Sequence, residues 1–213
     1  RESSRKEILR GRIIMVEGSF GETFGDEIDW DAEARRAAQS DPPGSAPGEL
    51  VLHLSRQLRL ADDTRRLRIV DCGCNIGRFY PQVIAADLEY VGIDQAAEAL
   101  QIARTRYPTA RFERAFLWDD WPALTGPVDG AFTNAVLQHN THDEKRKILT
   151  RIAQAVRIGG AFTMQESTEP YETKTQLRQG DWVALVEAFG FRLVTLWHPN
   201  ASFAILDGYL FER

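Results

Sequence analysis

A glycine turn directly after a short apolar strand constrains the fold of this chain more than any other feature. Residues 68–71 read RIVD and predict a buried strand, and residues 72–77 follow as CGCNIG. Gly73 and Gly77 let the backbone turn tightly and let a ligand approach it, because neither residue has a Cβ atom. Free N–H groups of the following helix would face such a ligand. The pattern predicts a ligand site at the end of the first strand of an α/β sheet.

Strand and helix patterns alternate through the rest of the chain. Further strands are predicted at 90–94, 110–116, 128–134, 161–165, 191–197 and 203–211, and helices at 31–39, 50–60, 96–106, 142–156 and 181–189. Thr141 and Glu144 form a capping box, Gly159-Gly160 is expected to end that helix, and Asp181 is expected to cap the last one. The order predicts a doubly wound, mainly parallel sheet of seven strands with helices on both faces and a C-terminal antiparallel hairpin.

A proline- and glycine-rich segment divides the chain. Residues 40–48 read SDPPGSAPG, which excludes regular structure there. We predict an N-terminal extension or helical lid at 1–60 and a main domain at 61–213. Phe20, Phe24 and Trp30 would either fold over the site or pack against the main domain.

Composition limits the classes of protein and of partner. With 43% hydrophobic and 27% charged residues the chain is typical of a globular domain, and its net charge of −5 makes a nucleic-acid partner unexpected. No apolar run is long enough to span a membrane. Cys72 and Cys74 are the only cysteines, and too few zinc ligands lie near them for a metal site. We therefore predict no metal, reduced thiols and a cytoplasmic location.

A dinucleotide site is disfavoured by the glycine spacing. Counted from Gly73, the G-x-G-x-x-G pattern needs glycine where the chain has Asn75 and Arg78. Asp94, seventeen residues after Gly77, ends the second strand, where a carboxylate can accept two hydrogen bonds from a ribose diol. Its alternative role is to cap the next helix.

These residues resemble the motifs of the class I S-adenosylmethionine-dependent methyltransferases over residues 67–213. Asp71-x-Gly73-x-Asn75-x-Gly77 is similar to the family's acidic glycine motif, with Asn75 in place of the middle glycine. VGID at 91–94 is similar to its second motif, and RIGG at 157–160 to the segment before its fifth strand.

The resemblance implies S-adenosyl-L-methionine as cofactor. It places the glycines along the methionine and ribose, Asp94 at the ribose hydroxyls, Gln95 against the adenine, and Asn134 at the cofactor's amino group. Leu117 and Trp118 would give backbone and stacking contacts, since Asp119 is offset from the usual acid. The full predicted cofactor set is Asp71, Gly73, Cys74, Asn75, Gly77, Asp94, Gln95, Leu117, Trp118 and Asn134.

Methyl transfer from a sulfonium needs alignment of the acceptor, and a general base only if the acceptor must lose a proton. His139, after the fourth strand, is the candidate base, or it fixes the loop beside the cofactor. Glu166, just past the fifth strand, would bind or deprotonate the acceptor, or it is a solvated loop acid. His53 is expected on a helix surface and His198 in a turn.

The expected function is transfer of a methyl group to an oxygen or nitrogen of a small-molecule acceptor. The alternatives are a methyltransferase acting on nucleic acid or protein, a nicotinamide-dependent oxidoreductase, and a non-catalytic cofactor-binding member of the fold. Asn134-Ala135-Val136-Leu137 lacks the prolines of nucleic-acid amino-methylating enzymes. The expected partners are the small-molecule acceptor and, as an option, a second copy of the chain.

Overall fold

A computed structural model describes residues 28–40, 48–61, 64–122, 124–168, 177–198 and 206–213. Its contacts divide the chain into two units, Arg1–Trp30 and Asp31–Arg213. The helices are α1 (Trp30–Ser40), α2 (Glu49–Ala61), α3 (Tyr80–Ala85), α4 (Ala97–Arg106), α5 (His142–Ala155) and α6 (Gln179–Glu187), with a 3₁₀ turn at Leu137–His139. The strands are β1 (Leu67–Cys72), β2 (Leu88–Asp94), β3 (Arg111–Arg114), β4 (Val128–Asn134), β5 (Val156–Ser167), β6 (Arg192–Trp197) and β7 (Leu206–Glu212).

The strands form one seven-stranded sheet in the order β3-β2-β1-β4-β5-β7-β6. The first five strands in this order pair in parallel, whereas β7 runs antiparallel to both β5 and β6. Apolar side chains of α5 and α6 pack on one face of the sheet, and those of α2, α3 and α4 on the other. The predicted fold class, including the C-terminal antiparallel strands, is confirmed. Among the described residues, no helix is long and apolar enough to cross a membrane.

The parallel topology fixes where a ligand site can form. β1, β2 and β4 end side by side, because Cys72 lies in register with Ile93 on one side and Thr133 on the other. The carboxyl ends of neighbouring parallel strands are where α/β sheets bind ligands, especially where the strand order reverses. β1 lies at that reversal, between β2 and β4.

The expected end of α5 at Gly159-Gly160 is wrong. The helix ends at Ala155, and both glycines lie within β5, which is much longer than predicted. Gly159 has a φ of +74°, and a Cβ on Gly160 would lie 2.5 Å from the carbonyl oxygen of Asp129. Gly160 therefore lets β5 pass close to the start of β4, Gly159 supplies a positive φ, and neither glycine ends the helix. The capping box at the start of α5 is confirmed, with both reciprocal hydrogen bonds of Thr141 and Glu144 present.

Asp181 does not precede α6 but lies in its first turn. Its carboxylate accepts a hydrogen bond from the backbone N–H of Arg178, the residue before the helix. The predicted cap was therefore three residues out of place.

The two helices predicted in the N-terminal extension both contact the main sheet or its helices. Leu50, Leu54 and Leu58 of α2 are buried in the core beneath β4 and β5. On α1, the Asp31 carboxylate accepts a hydrogen bond from the backbone N–H of Glu98, in the first turn of α4, at 2.8 Å. α2 thus belongs to the packed core, while the lid function of the extension stays a prediction. Phe20 and Phe24 lie outside the described residues.

Candidate active site at the carboxyl ends of β1, β2 and β4

The glycine turn has the left-handed backbone that its sequence predicts. Gly73, Asn75 and Gly77 have φ values of +81°, +48° and +75°. Asn75 tolerates this conformation because its short side chain bonds locally: its Oδ1 atom accepts a hydrogen bond from the N–H of Ile76 at 2.7 Å. Asn75 can therefore replace the glycine of the family motif without loss of the turn.

Gly73 also brings the turn against the loop after β4. A Cβ at Gly73 would lie 2.5 Å from Val136 Cγ2, a distance that side chains cannot adopt. At Gly77, a Cβ would lie 3.0 Å from the ring of Phe112. The absence of a side chain at Gly73 thus allows the turn after β1 to contact the loop after β4. Gly77 is needed for close packing against Phe112 as well as for its positive φ.

Asp94 ends β2 with its carboxylate between the glycine turn and α4. Its Oδ2 atom accepts a hydrogen bond from the N–H of Asn75 at 2.8 Å, and its Oδ1 atom one from the N–H of Ala96 at 2.9 Å. Burial raises the pKa of Asp94, and these N–H groups oppose that shift. The N-cap residue of α4 is Ala96, so Asp94 binds the residue that precedes the helix and is not itself the predicted N-cap. Each carboxylate oxygen still has a second lone pair for a ligand donor.

Asp71 lies behind the turn. Its carboxylate accepts a hydrogen bond from the Tyr90 hydroxyl at 2.8 Å, and burial raises the pKa of Asp71 to about 8. Cys74 is also buried, and burial raises the pKa of its thiol. These two residues support the turn from the protein interior. Tyr90 was not predicted as a site residue, because it lies on β2 and meets Asp71 of β1 only through the pairing of the two strands.

The residues predicted near the adenine lie on two loops next to Asp94. Gln95 follows Asp94 directly, and its carbonyl oxygen accepts a hydrogen bond from Arg114 Nε at 3.1 Å. Leu117 is buried after β3, and the half-buried Trp118 stacks on Phe116 with ring centroids 5.1 Å apart. An aromatic surface therefore flanks the ends of β2 and β3.

A tight turn after β4 is held by one buried carboxylate. Ala135 has a φ of +52°, and its N–H donates to the Gln165 carbonyl at 2.7 Å. The Glu166 carboxylate accepts hydrogen bonds from the backbone N–H groups of Val136, Leu137 and Gln138 at 3.2, 3.1 and 3.0 Å. It also accepts one from the Thr133 hydroxyl at 3.0 Å.

The predicted position of Glu166 just past β5 is wrong, and so is the alternative of a solvated loop acid. Glu166 lies within β5, and its side chain is fully buried. Burial raises the pKa of Glu166 to about 7, against the effect of the N–H groups that it accepts from. The carboxylate is therefore occupied in holding the turn that carries His139.

His139 ends the 3₁₀ turn, with its Nε2 atom 3.3 Å from the Gln138 side-chain nitrogen. Burial, and next the charge of Lys145, lower the pKa of His139 to about 4. The imidazole is therefore neutral at neutral pH, as a proton acceptor must be.

Lys145, whose charge contributes to the lowered pKa of His139, was not among the predicted residues. It is fully buried on α5, its ammonium donates to the Asn140 carbonyl, and it lies 5.7 Å from the centre of the Trp182 ring. Burial lowers the pKa of Lys145 to about 8. Its burial could have been predicted from the sequence, because residue 145 precedes the buried Ile148 and Leu149 by one helical turn and so shares their face.

The structure thus gathers the predicted cofactor residues along neighbouring strand ends, with His139 on the turn after β4. His198 lies elsewhere, after β6, where its Nδ1 atom is 2.7 Å from the Asp207 carboxylate. His53 is half-buried and not on an exposed surface, because its ring stacks on Trp197. Among the described residues, no group of three His, Cys, Asp or Glu side chains could hold a metal ion.

Comparison with known proteins agrees with a cofactor site at these strand ends. Residues 69–160 match the family described as "Methyltransferase domain". This match and the structural neighbours described below support a class I S-adenosylmethionine-dependent methyltransferase. This confirms the predicted family, and S-adenosylmethionine is the cofactor of that family. No curated protein matches the chain.

Solved structures similar to the methyltransferase domain have the same fold at low sequence identity. A TehB-like S-adenosylmethionine-dependent methyltransferase from Corynebacterium glutamicum superposes with a TM-score of 0.64 at 19% identity, covering 87% of this chain and 96% of its own. An S-adenosylmethionine-dependent methyltransferase from Clostridium acetobutylicum superposes with a TM-score of 0.66 at 9% identity. The match covers 86% of this chain and 98% of the other. The magnesium protoporphyrin IX methyltransferase of Synechocystis, with bound S-adenosylmethionine, gives 0.61 at 15%, covering 95% and 96%.

Proposed function

We propose that this protein transfers a methyl group from S-adenosylmethionine to an oxygen or nitrogen atom of a small-molecule acceptor. The observation that carries the proposal is the joint geometry of the glycine turn and Asp94. The turn places three residues with positive φ at the strand end, and the N–H of Asn75 ties it to the Asp94 carboxylate.

The residues at the strand ends fit the cofactor. Asp94 would accept from the ribose hydroxyls, and Gln95 with Leu117 and Trp118 would border the adenine. Gly73 and Asn134 would border the methionine portion, with the Asn134 carbonyl accepting from its amino group. When bound, S-adenosylmethionine supplies a methyl group activated by the positive charge on its sulfur.

We propose that His139 accepts the acceptor's proton where the acceptor has one to lose. Its neutral imidazole lies on the turn directly after Asn134, the strand end assigned to the cofactor's methionine portion. Glu166 is better assigned to positioning than to proton transfer, because its two oxygens accept four hydrogen bonds from that turn and from β4. Glu166 would thus act through the backbone that carries His139.

A small molecule is the proposed acceptor for two reasons. The net charge of −5 does not favour an anionic polymer. One structural neighbour is a magnesium protoporphyrin IX methyltransferase, and another is a glycopeptide N-methyltransferase. A second copy of the chain as partner stays a prediction.

The test is a turnover assay with S-adenosylmethionine labelled on the methyl group. The protein is incubated with a panel of small phenols, carboxylic acids and amines, and in parallel with RNA and with unmodified protein. Formation of S-adenosylhomocysteine with a member of the small-molecule panel supports the proposal. Turnover with RNA or protein alone would contradict it. A His139→Gln variant should lose turnover while it still binds S-adenosylhomocysteine.

A further inference from the structure

Two buried N–H donors without hydrogen-bond partners among the described residues lie in one row of the sheet, which also contains the strand end assigned above to the cofactor. Within the described part of the chain, neither the side-chain nitrogen of Gln165 nor the indole nitrogen of Trp197 has a partner. Gln165 is 1% exposed. A buried donor left unpaired costs about 1–3 kcal/mol, so two together call for a ligand that accepts from them.

The sheet register places Gln165 and Trp197 in the same row, on the two strands that flank β7. Gln165 on β5 and Trp197 on β6 both lie opposite Gly208 on β7, one on each side of it. A Cβ on Gly208 would lie 2.1 Å from Trp197 Cε2, the ring carbon bonded to the indole nitrogen. The indole therefore extends over Gly208 towards β5. Directly opposite residues of neighbouring strands point to the same face of a sheet, so Gln165 shares that face.

The same face leads to the end of β4. Gln165 pairs with Asn134, the residue assigned above to the cofactor's methionine portion. Asn134 and Trp197 are half-buried, whereas the two nitrogen atoms themselves are buried. The far side of the indole is covered by His53 of α2, with ring centroids 4.2 Å apart and planes inclined by 24°.

We propose that Gln165 and Trp197 form a subsite that binds an uncharged carbonyl oxygen of the methyl acceptor through their two N–H groups. The inference rests on the proposed function, because it assigns the pair to the acceptor of that reaction. A carbonyl oxygen has two lone pairs and can accept from both donors at once. No charged side chain belongs to the pair, and burial lowers the pKa of the neighbouring His53, so its ring is neutral at neutral pH. These neutral donors favour a neutral carbonyl over a carboxylate.

The test uses benzamide as the probe and the protein saturated with S-adenosylhomocysteine. Two-dimensional ¹H–¹⁵N spectra contain one indole signal for each of the five tryptophans, and Trp197→Phe identifies the signal of Trp197 by its loss. We expect benzamide at about 10 mM to shift this signal, as a millimolar ligand would. Benzylamine, which has the same ring without the carbonyl, should not shift it. Benzoate should bind more weakly than benzamide.

Two variants of β5 distinguish a donor that binds benzamide from a buried polar group that does not. Gln165→Met removes the donor at nearly constant volume and should weaken benzamide binding at least about fivefold. Thr163→Val is the matched control, because Thr163 lies two residues earlier on the same face and its hydroxyl is also buried without a partner among the described residues. It should leave benzamide binding unchanged.

The outcomes separate the two proposals. If S-adenosylhomocysteine shifts the signals of the glycine turn but benzamide leaves Trp197 unchanged, the subsite is wrong and the methyltransferase function stands. Equal weakening by both variants, or tighter binding of benzoate than of benzamide, would also overturn the subsite. If S-adenosylhomocysteine itself does not bind, the proposed function fails.

Discussion

The carboxylate of Asp94 accepts a hydrogen bond from the backbone N–H of Asn75 at 2.8 Å, and this contact ties the end of β2 to the turn after β1. Asp94 thus sets the shape of the turn and also faces the proposed ribose position. Asp94→Ala removes both the hydrogen bond to the turn and the proposed acceptor for the ribose hydroxyls. We therefore expect the affinity for S-adenosylhomocysteine to fall at least about tenfold, which corresponds to roughly 1.4 kcal/mol of binding free energy. Isothermal titration calorimetry measures it.

The control for Asp94→Ala lies on the same strand. Glu89→Ala removes an acid at the opposite end of β2, where the side chain forms a surface ion pair with Arg68. Its affinity should equal that of the wild type. An Asp94→Ala protein that binds as tightly as Glu89→Ala would refute the ribose assignment.

Gly73→Ala should damage both stability and cofactor binding. The new Cβ would lie 2.5 Å from Val136 Cγ2, and the φ of +81° is unfavourable for alanine. We expect a loss of about 1–3 kcal/mol in the free energy of unfolding, measured with urea. Adding Val136→Ala should restore only part of it, because the backbone strain remains.

Gly180→Ala provides the matched substitution. Gly180 lies in α6 with open space around its Cβ position, so alanine there should stabilise by about 0.5–1 kcal/mol. Equal effects of the two substitutions would show that the conformation of Gly73 does not matter.

The sequence allowed the glycine turn and Asp94 to be predicted because both depend on local features, namely backbone angles and the spacing of two strand ends. The role of Glu166 could not be predicted, because its donors lie 28 to 33 residues away and meet it only through the β4–β5 register. Gly160 was misread for a similar reason, since its small size allows close contact with Asp129 of β4. The Gln165–Trp197 pair depends on a third residue, Gly208, across two strands.

Glu166→Gln tests whether the hydrogen bonds accepted by Glu166 stabilise the turn after β4. An amide of the same shape has one oxygen and one N–H₂ group, so at least one donor of the turn would face another donor. We expect a loss of about 1–3 kcal/mol in the free energy of urea unfolding, together with a lower kcat. If Glu166→Gln were as stable as the wild type and lost only activity, direct proton transfer by Glu166 would be the better account.

His139 should make stability depend on pH in a defined window. Its pKa falls from 6.5 to about 4 on folding, so the unfolded chain binds the proton more tightly. The stabilisation is therefore fully present above pH 6.5 and is lost as the pH falls from 6.5 through 4. We expect the free energy of unfolding, measured with urea, to fall between pH 7 and pH 5 in both the wild type and His139→Gln. The fall should be larger in the wild type by roughly 1–2 kcal/mol. Equal losses would contradict burial of a neutral His139.

Calorimetric titration of the wild-type chain with S-adenosylhomocysteine tests the central claim most directly. We predict one site per chain with a dissociation constant of tens of micromolar or less, and no binding of NAD, whose glycine pattern is broken at Asn75 and Arg78. The absence of binding at about 100 μM S-adenosylhomocysteine, or binding of NAD in its place, would contradict the account.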